Sequence, residues 1–129
     1  MTRNAHSSAN GPAAIGPYSH GVWAGGLLYL SGQTPIDPAT GQLVEGGVTE
    51  QTEQVFRNLE AVVADAGLSM DDVVKCNVFL TSMGDFPEMN AVYAEHFSAP
   101  YPARSTVAVA GLPLGARVEI ELVAKRPTG

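Results

Sequence analysis

The feature that most constrains the fold is a one-sided apolar stripe in the middle of the chain. Between residues 48 and 66, apolar side chains recur at steps of three, four and seven: Val48, Val55, Leu59, Val62, Val63 and Ala66. This spacing predicts an amphipathic helix, which must bury its apolar face against another element. Gly67 follows directly and predicts the left-handed residue that ends many helices.

A second, shorter helix is predicted from residue 85 onward. Asp85, with Glu88 three positions later, predicts a capping box at its start. An apolar stripe then follows at helical spacing, made of Phe86, Met89, Tyr93 and Phe97. Pro100 and Pro102 prevent the helix from continuing.

Strand-like segments surround the two helices, at residues 18–23, 27–32, 73–80, 103–109 and 116–125. The resulting order is strand, strand, helix, strand, helix, strand, strand. It predicts an α+β domain in which one sheet carries both helices on one face. The other face would be mixed in polarity, which favours oligomerisation.

The domain organisation expected from this order is simple. Residues 1–129 form one domain, residues 1–12 are a flexible N-terminal arm, and residues 33–47 are a loop containing little more than one short strand.

Charge and composition narrow the functional classes. The net charge of -6 disfavours binding to nucleic-acid backbones. A single cysteine, Cys76, excludes an intrachain disulfide and is expected in the core. We find no signal-peptide pattern and no apolar run long enough for a membrane helix, so a cytoplasmic location without membrane contact is expected. The histidines share no spacing with carboxylates or cysteine, so no metal site is expected.

The last two strands contain the most informative side chains. If they form a hairpin in which Val109 pairs with Ala116, Arg104 lies opposite Glu121 and Thr106 lies opposite Glu119. A slip of two residues would place Arg104 opposite Glu119 instead. Either register puts a guanidinium and two carboxylates on one sheet face. These residues are then either an exposed ion pair or a substrate anchor with a glutamate available for proton transfer.

Four separated motifs resemble the RidA/YjgF family, also called the L-PSP endoribonuclease family. They are Ala14-Ile15-Gly16-Pro17-Tyr18, Ser31-Gly32-Gln33, Asn90-Ala91-Val92-Tyr93, and Pro102-Ala103-Arg104-Ser105-Thr106-Val107 followed by Val118-Glu119-Ile120. The resemblance covers nearly the whole chain. It implies a chorismate-mutase-like α+β fold and a homotrimer with active-site clefts between subunits.

The resemblance also implies a reaction, the hydrolytic deamination of small 2-imino acids such as 2-iminopropanoate or 2-iminobutanoate. No metal or organic cofactor takes part. Arg104 would bind the substrate carboxylate, Glu119 would activate or position water, and the backbone at Thr106 would orient the imine. The pocket would also be lined by Tyr18, Ser31, Gly32 and Asn90. Thr106 departs from the family pattern, because many members have cysteine there.

Two other functions stay open from the sequence. Some family members are described as endoribonucleases that inhibit translation, although the acidic charge balance argues against it here. A non-catalytic trimer that binds small carboxylates, or acts like a chaperone, is the other alternative.

Overall fold

A computed structural model describes residues 2–127 of the chain as a mixed sheet with two helices on one face. The strands are β1 (Asn4–His6), β2 (Gly21–Ala24), β3 (Leu27–Leu30), β4 (Ile36–Asp37), β5 (Gln42–Leu43), β6 (Val73–Leu80), β7 (Ala103–Ala108) and β8 (Val118–Lys125). β4 and β5 pair with each other in a small separate hairpin, whereas the other six strands form the main sheet in the order β1-β2-β3-β8-β6-β7. The predicted α+β class is confirmed.

The two helices are α1 (Val48–Asp65) and α2 (Phe86–His96). The predicted stripe of α1 is buried against the sheet apart from Ala66, which is partly buried, and Val55 and Leu59 are fully buried. Phe56, which the predicted stripe did not include, is also fully buried. The end of α1 is also as predicted, because Gly67 has a φ of 79° and Leu68 N–H donates back to the Val63 carbonyl at 3.1 Å. No helix within residues 2–127 is long and apolar enough to cross a membrane.

The predicted pairing of the last two strands is wrong. β6 lies between them, parallel to β7 and antiparallel to β8. The helical connection through α2 returns the chain to the start of β6, so β7 can pair with β6 in parallel. The segment between β7 and β8 then crosses the end of β6, where Val109 N–H donates to the Leu80 carbonyl at 2.7 Å. Strands next to each other in sequence usually pair, and here they do not.

This strand order changes which side chains share a face. Arg104 lies beside Cys76 of β6, and Cys76 lies beside Leu122 of β8. Residues paired across a sheet point to the same side, so Arg104 shares the helix-covered face with Cys76 and Leu122. Glu119 and Glu121 alternate with buried β8 residues and point to the opposite face. The prediction that Arg104, Thr106, Glu119 and Glu121 share one face is therefore wrong.

The face without helices has the mixed polarity that the sequence predicted. Within one chain, Tyr29 is 50% and Val107 48% exposed, and both lie on this face. The same face carries hydrogen-bonded polar side chains, for example Asn77, which donates to Glu121 Oε1 at 3.2 Å. An apolar and polar surface of this kind is suited to contact with another protein surface.

The N-terminal segment is packed rather than the flexible arm that was expected. β1 pairs with β2, and the buried His6 donates from Nε2 to the Val62 carbonyl of α1 at 2.9 Å. Asp65 at the end of α1 accepts hydrogen bonds from Ser8 and Asn10. These hydrogen bonds keep the Asp65 pKa below its ordinary value. The composition of the N-terminal segment does not predict these hydrogen bonds, because the residues that it bonds on α1 lie more than fifty positions away in the sequence.

The predicted capping box of α2 is also wrong. A short 3-10 turn precedes the helix, so Asp85 already has helical backbone angles and its side chain makes no cap. Asp85 instead accepts two hydrogen bonds from the Arg117 guanidinium, at 2.7 and 3.2 Å. Glu88 accepts a hydrogen bond from the Thr49 hydroxyl at 3.1 Å. Both acidic side chains therefore connect α2 to neighbouring elements.

Asn58 of α1 provides a test of how the loop after β3 is held. Its Nδ2 donates to the Thr34 and Ile36 carbonyls at 3.1 and 2.8 Å, and the residue is 1% exposed. Asn58→Ala removes this donor from both carbonyls, while the Thr34 carbonyl still accepts from the Ile36 N–H at 2.8 Å, so we expect the free energy of unfolding to fall by about 1–3 kcal/mol. Urea denaturation at fixed protein concentration measures this change.

The matched control is Glu53→Ala on the same helix. Glu53 pairs with Arg57 at 3.9 Å, and both side chains are substantially exposed. The expected loss is below about 0.5 kcal/mol. Equal stability losses in the two variants would contradict the role assigned to Asn58.

Candidate functional site

Arg104 lines an open cleft of about 460 Å³ between β7 and α2. Its Nη1 donates to Asn90 Oδ1 at 2.7 Å, and its Cζ lies 4.5 Å from the centre of the Tyr93 ring. The guanidinium is also 5.5 Å from the Phe86 ring centre. Within residues 2–127 its other N–H groups donate to no protein atom, so they are free to bind a carboxylate in a forked arrangement.

Phe86 and Tyr93 are the site residues that the sequence reasoning missed. Both were predicted as members of the apolar stripe of α2, and Tyr93, which also ends a family motif, was given no role in the site; Tyr93 is 5% exposed. Both rings contact Arg104 because Arg104 points toward the helices. The predicted hairpin did not place Arg104 on that side of the sheet. Asn90 and Tyr93 are one helical turn apart, so that spacing would have indicated a shared contact once the face of Arg104 was known.

A second group of predicted site residues gathers where β3 ends and β8 begins. The Ser31 hydroxyl donates to the Ser19 carbonyl at 2.6 Å. Tyr18 is 50% exposed and shares an open cavity of about 770 Å³ with Ser31. Gly32 lies directly against Glu119, because a Cβ atom at Gly32 would be 2.9 Å from Glu119 Cδ. A larger residue at position 32 would require the Glu119 side chain to move.

Burial is the main cause that raises the pKa of the Glu119 carboxyl, and the neighbouring Glu121 raises it further. A carboxyl group with a raised pKa holds its proton closer to neutral pH than an exposed glutamate does. Such a group is suited to accept a proton from water and return it to a leaving group.

The two groups do not meet within one chain. Arg104 and Asn90 lie at the β7 edge on the helix side, whereas Glu119 points to the face without helices. β6 separates β7 from β8 throughout their length. The predicted residues therefore form two half-sites, which we call the Arg104 half-site (Asn90, Arg104, Thr106) and the Glu119 half-site (Tyr18, Ser31, Gly32, Glu119).

Thr106 lies two residues beyond Arg104 on the same face. Its hydroxyl oxygen is buried and has no hydrogen-bond partner within residues 2–127. Cys76 is fully buried in the core, as predicted, and burial raises the pKa of its thiol. Within the described residues, no three His, Cys, Asp or Glu side chains converge in a way that would hold a metal ion.

The protein belongs to the class of small α+β proteins in which one mixed sheet carries two helices on one face. Its candidate site residues lie at the margins of that sheet. A family model described as Endoribonuclease L-PSP matches residues 8–126. The chain belongs to this family, which is the RidA/YjgF family that its motifs resemble.

Several proteins are similar to this chain over nearly its full length. The 2-iminobutanoate/2-iminopropanoate deaminase of Capra hircus is 45% identical over 124 residues, covering 96% of this chain and 90% of the relative. The crystal structure of RidA from Psychrobacter sp. PAMC 21119 matches with a TM-score of 0.91 and 46% identity, covering 96% and 100%. The crystal structure of E. coli TdcF with bound serine matches with a TM-score of 0.88 and 40% identity, covering 96% and 99%.

The raised pKa of Glu119 predicts how stability depends on pH. Because the folded state binds this proton more tightly than the unfolded state, Glu119 destabilises the fold as the pH rises above its ordinary pKa of 4.5. Glu119→Gln removes the titration. We therefore expect the variant to be more stable than the wild type at pH 7, with a difference that shrinks toward zero below pH about 4.

Thermal unfolding at a series of pH values measures this difference. Glu121→Gln is the control, because it removes the like charge that raises the Glu119 pKa and leaves the burial in place. Its effect should be smaller than that of Glu119→Gln. A Glu119→Gln variant that is less stable than the wild type at pH 7 would contradict the prediction.

Proposed function

We propose that the protein hydrolyses small 2-imino acids to 2-oxo acids and ammonia, in sites formed between the chains of a homotrimer. The observation that carries this proposal is the Arg104 guanidinium, which is fixed by Asn90 and Tyr93 and still has N–H groups available in an open cleft. The family membership and the names of relatives at 45% identity support it.

A fixed guanidinium suits a substrate whose reactive carbon is next to a carboxylate. Bidentate binding of the carboxylate sets the direction of the adjacent C=N bond. Asn90 and Tyr93 restrain Arg104 before the substrate arrives, so less side-chain freedom is lost on binding.

Hydrolysis of an imine then needs little more than water and one proton carrier. The water oxygen bonds to the imine carbon, the C=N double bond becomes a single bond, and nitrogen takes up a proton. The resulting carbinolamine loses ammonia as its C–N bond breaks and its hydroxyl proton leaves, which gives the 2-oxo acid. Glu119 takes the proton from water and returns one to nitrogen, a task suited to a carboxyl group with a raised pKa.

A second copy of the chain would supply the missing half of each site. Arg104 and Glu119 lie on opposite faces of one sheet, so one chain cannot present both to the same substrate. The half-exposed Tyr18, Tyr29 and Val107 are side chains that a neighbouring chain would cover. The resemblance to trimeric family members indicates three copies.

The family description also names an endoribonuclease activity. All three histidines already have structural partners: His6 bonds Val62, His20 bonds Ser8 and Pro12, and His96 bonds Glu60. No histidine pair is therefore available for RNA cleavage, and the net charge of -6 repels an RNA backbone. Imine hydrolysis fits the described residues better.

Arg104→Ala tests the proposed reaction. An amino-acid oxidase generates 2-iminopropanoate in situ, and semicarbazide traps whatever imine remains. We expect the wild type to accelerate imine loss and Arg104→Ala to reduce kcat/KM by about 100-fold, because the substrate loses its orientation. Arg104→Lys should recover only part of the activity, since an ammonium group does not fork.

The matched control is Arg57→Ala, which removes an exposed arginine of α1 outside both half-sites. It should leave the rate unchanged. A wild-type rate no faster than that of Arg104→Ala would overturn the proposed reaction. RNA cleavage by the same preparation that is lost in Arg104→Ala would favour the endoribonuclease activity instead.

The assembly is tested separately by light scattering at micromolar concentration. The exposed apolar side chains on the open face favour association, and the family resemblance leads us to expect a mass near three times that of one chain. A monomer mass under these conditions would contradict sites formed between chains.

A further inference from the structure

The His20 side chain bonds two separate points of the N-terminal segment. Its ring is buried, with 8% of the residue exposed. Nδ1 accepts a hydrogen bond from the Ser8 backbone N–H at 3.0 Å, and Nε2 donates to the Pro12 carbonyl at 2.7 Å. Both ring nitrogens are thus used by backbone groups, and a single neutral tautomer satisfies both bonds.

These bonds close a loop that carries part of the Glu119 half-site. Residues 13–19 leave the segment held at Pro12 and return to β2 at His20, so the ring connects the beginning of the loop to its end. The loop itself is largely exposed: Ile15 is 81% and Tyr18 50% exposed. The far end of the loop is held at Ser31, whose N–H donates to the His20 carbonyl at 3.0 Å.

We propose that His20 is a positioning residue that fixes the 13–19 loop and thereby places Tyr18 in the Glu119 half-site. The hydrogen bond from Nε2 to Pro12 is the decisive contact, because it closes the loop at its base. The Ser8 bond orients the ring for that contact. The consequence for catalysis rests on the proposed imine hydrolysis, whereas the consequence for loop order does not.

The surroundings explain why a polar ring is required in a buried position. The Ser8 N–H and the Pro12 carbonyl would each lose a partner if His20 were apolar, and buried backbone groups are rarely left unpaired. Ser8 is also held through its hydroxyl by Asp65 of α1. The ring therefore connects the loop to a segment that is already anchored on the helix.

Two conservative variants separate the contacts of the ring. His20→Gln places an amide N–H near the position of Nε2 and can still donate to Pro12. His20→Asn places an amide oxygen near the position of Nδ1, can still accept from Ser8, and is too short to reach Pro12. The proposal predicts that the Asn variant releases the loop and that the Gln variant keeps it closed.

Hydrogen–deuterium exchange on the intact protein measures this without any reference to activity. In peptides covering residues 13–19, the amide that reports on the loop is Tyr18 N–H, which donates to the Gly16 carbonyl at 2.9 Å. It should exchange about tenfold faster or more in His20→Asn than in the wild type, while peptides of β6 and α1 stay unchanged. In His20→Gln the loop should exchange at nearly the wild-type rate. Unchanged loop exchange in His20→Asn, or equal acceleration in both variants, would overturn the proposal.

A double-mutant cycle with Tyr18→Ala tests the link to the site. His20→Asn alone should lower kcat/KM for 2-iminopropanoate by about tenfold. In the Tyr18→Ala background it should cause little further loss, because it acts through Tyr18. Equal losses in both backgrounds would show that His20 does not act through Tyr18.

The two measurements also keep this inference distinct from the proposed function. If the wild type hydrolyses no imine but the loop opens in His20→Asn, the reaction is wrong and the loop closure stands. If the wild type is active and the loop does not open in His20→Asn, only the role of His20 is wrong.

Discussion

The insertion of β6 between β7 and β8 is the constraint on which the rest of the structure depends. It places Arg104 in one row with Cys76 and Leu122, and so turns the guanidinium toward α2. There Asn90 and Tyr93 hold it. The same pairing sends Glu119 to the other face, against Gly32. A direct β7–β8 hairpin would instead have placed Arg104 and Glu119 on the same face of one chain.

Local patterns predicted the elements well, because each pattern is set by neighbours in sequence. The apolar stripe fixed the extent of α1, and Gly67 fixed its end. Contacts between distant residues were not predictable in this way. Strand order depends on where the chain returns after α2, and the packing of the N-terminal segment depends on Asp65 and Val62. The Asp85 cap failed because a 3-10 turn gives Asp85 helical backbone angles, and Arg117, thirty-two residues away, binds its carboxylate.

The candidate site residues were predicted as a set from motifs, whereas their arrangement required the structure. Periodicity left Arg104 open to two interpretations, and the family resemblance supplied the expectation that it binds a carboxylate. The structure adds the aromatic contacts around the guanidinium and the division into two half-sites. Asn90 and Tyr93 hold the Arg104 guanidinium in place, and His20 ties the loop that carries Tyr18 to the N-terminal segment.

The central claim is that one chain supplies Arg104 and another supplies Glu119. Mixed oligomers prepared from Arg104→Ala and Glu119→Gln chains, each inactive alone, test it most directly. If sites form between chains, random assembly restores about a quarter of the wild-type imine hydrolysis, because that share of sites combines an intact Arg104 with an intact Glu119. Mixed oligomers that stay as inactive as the separate variants would contradict the claim.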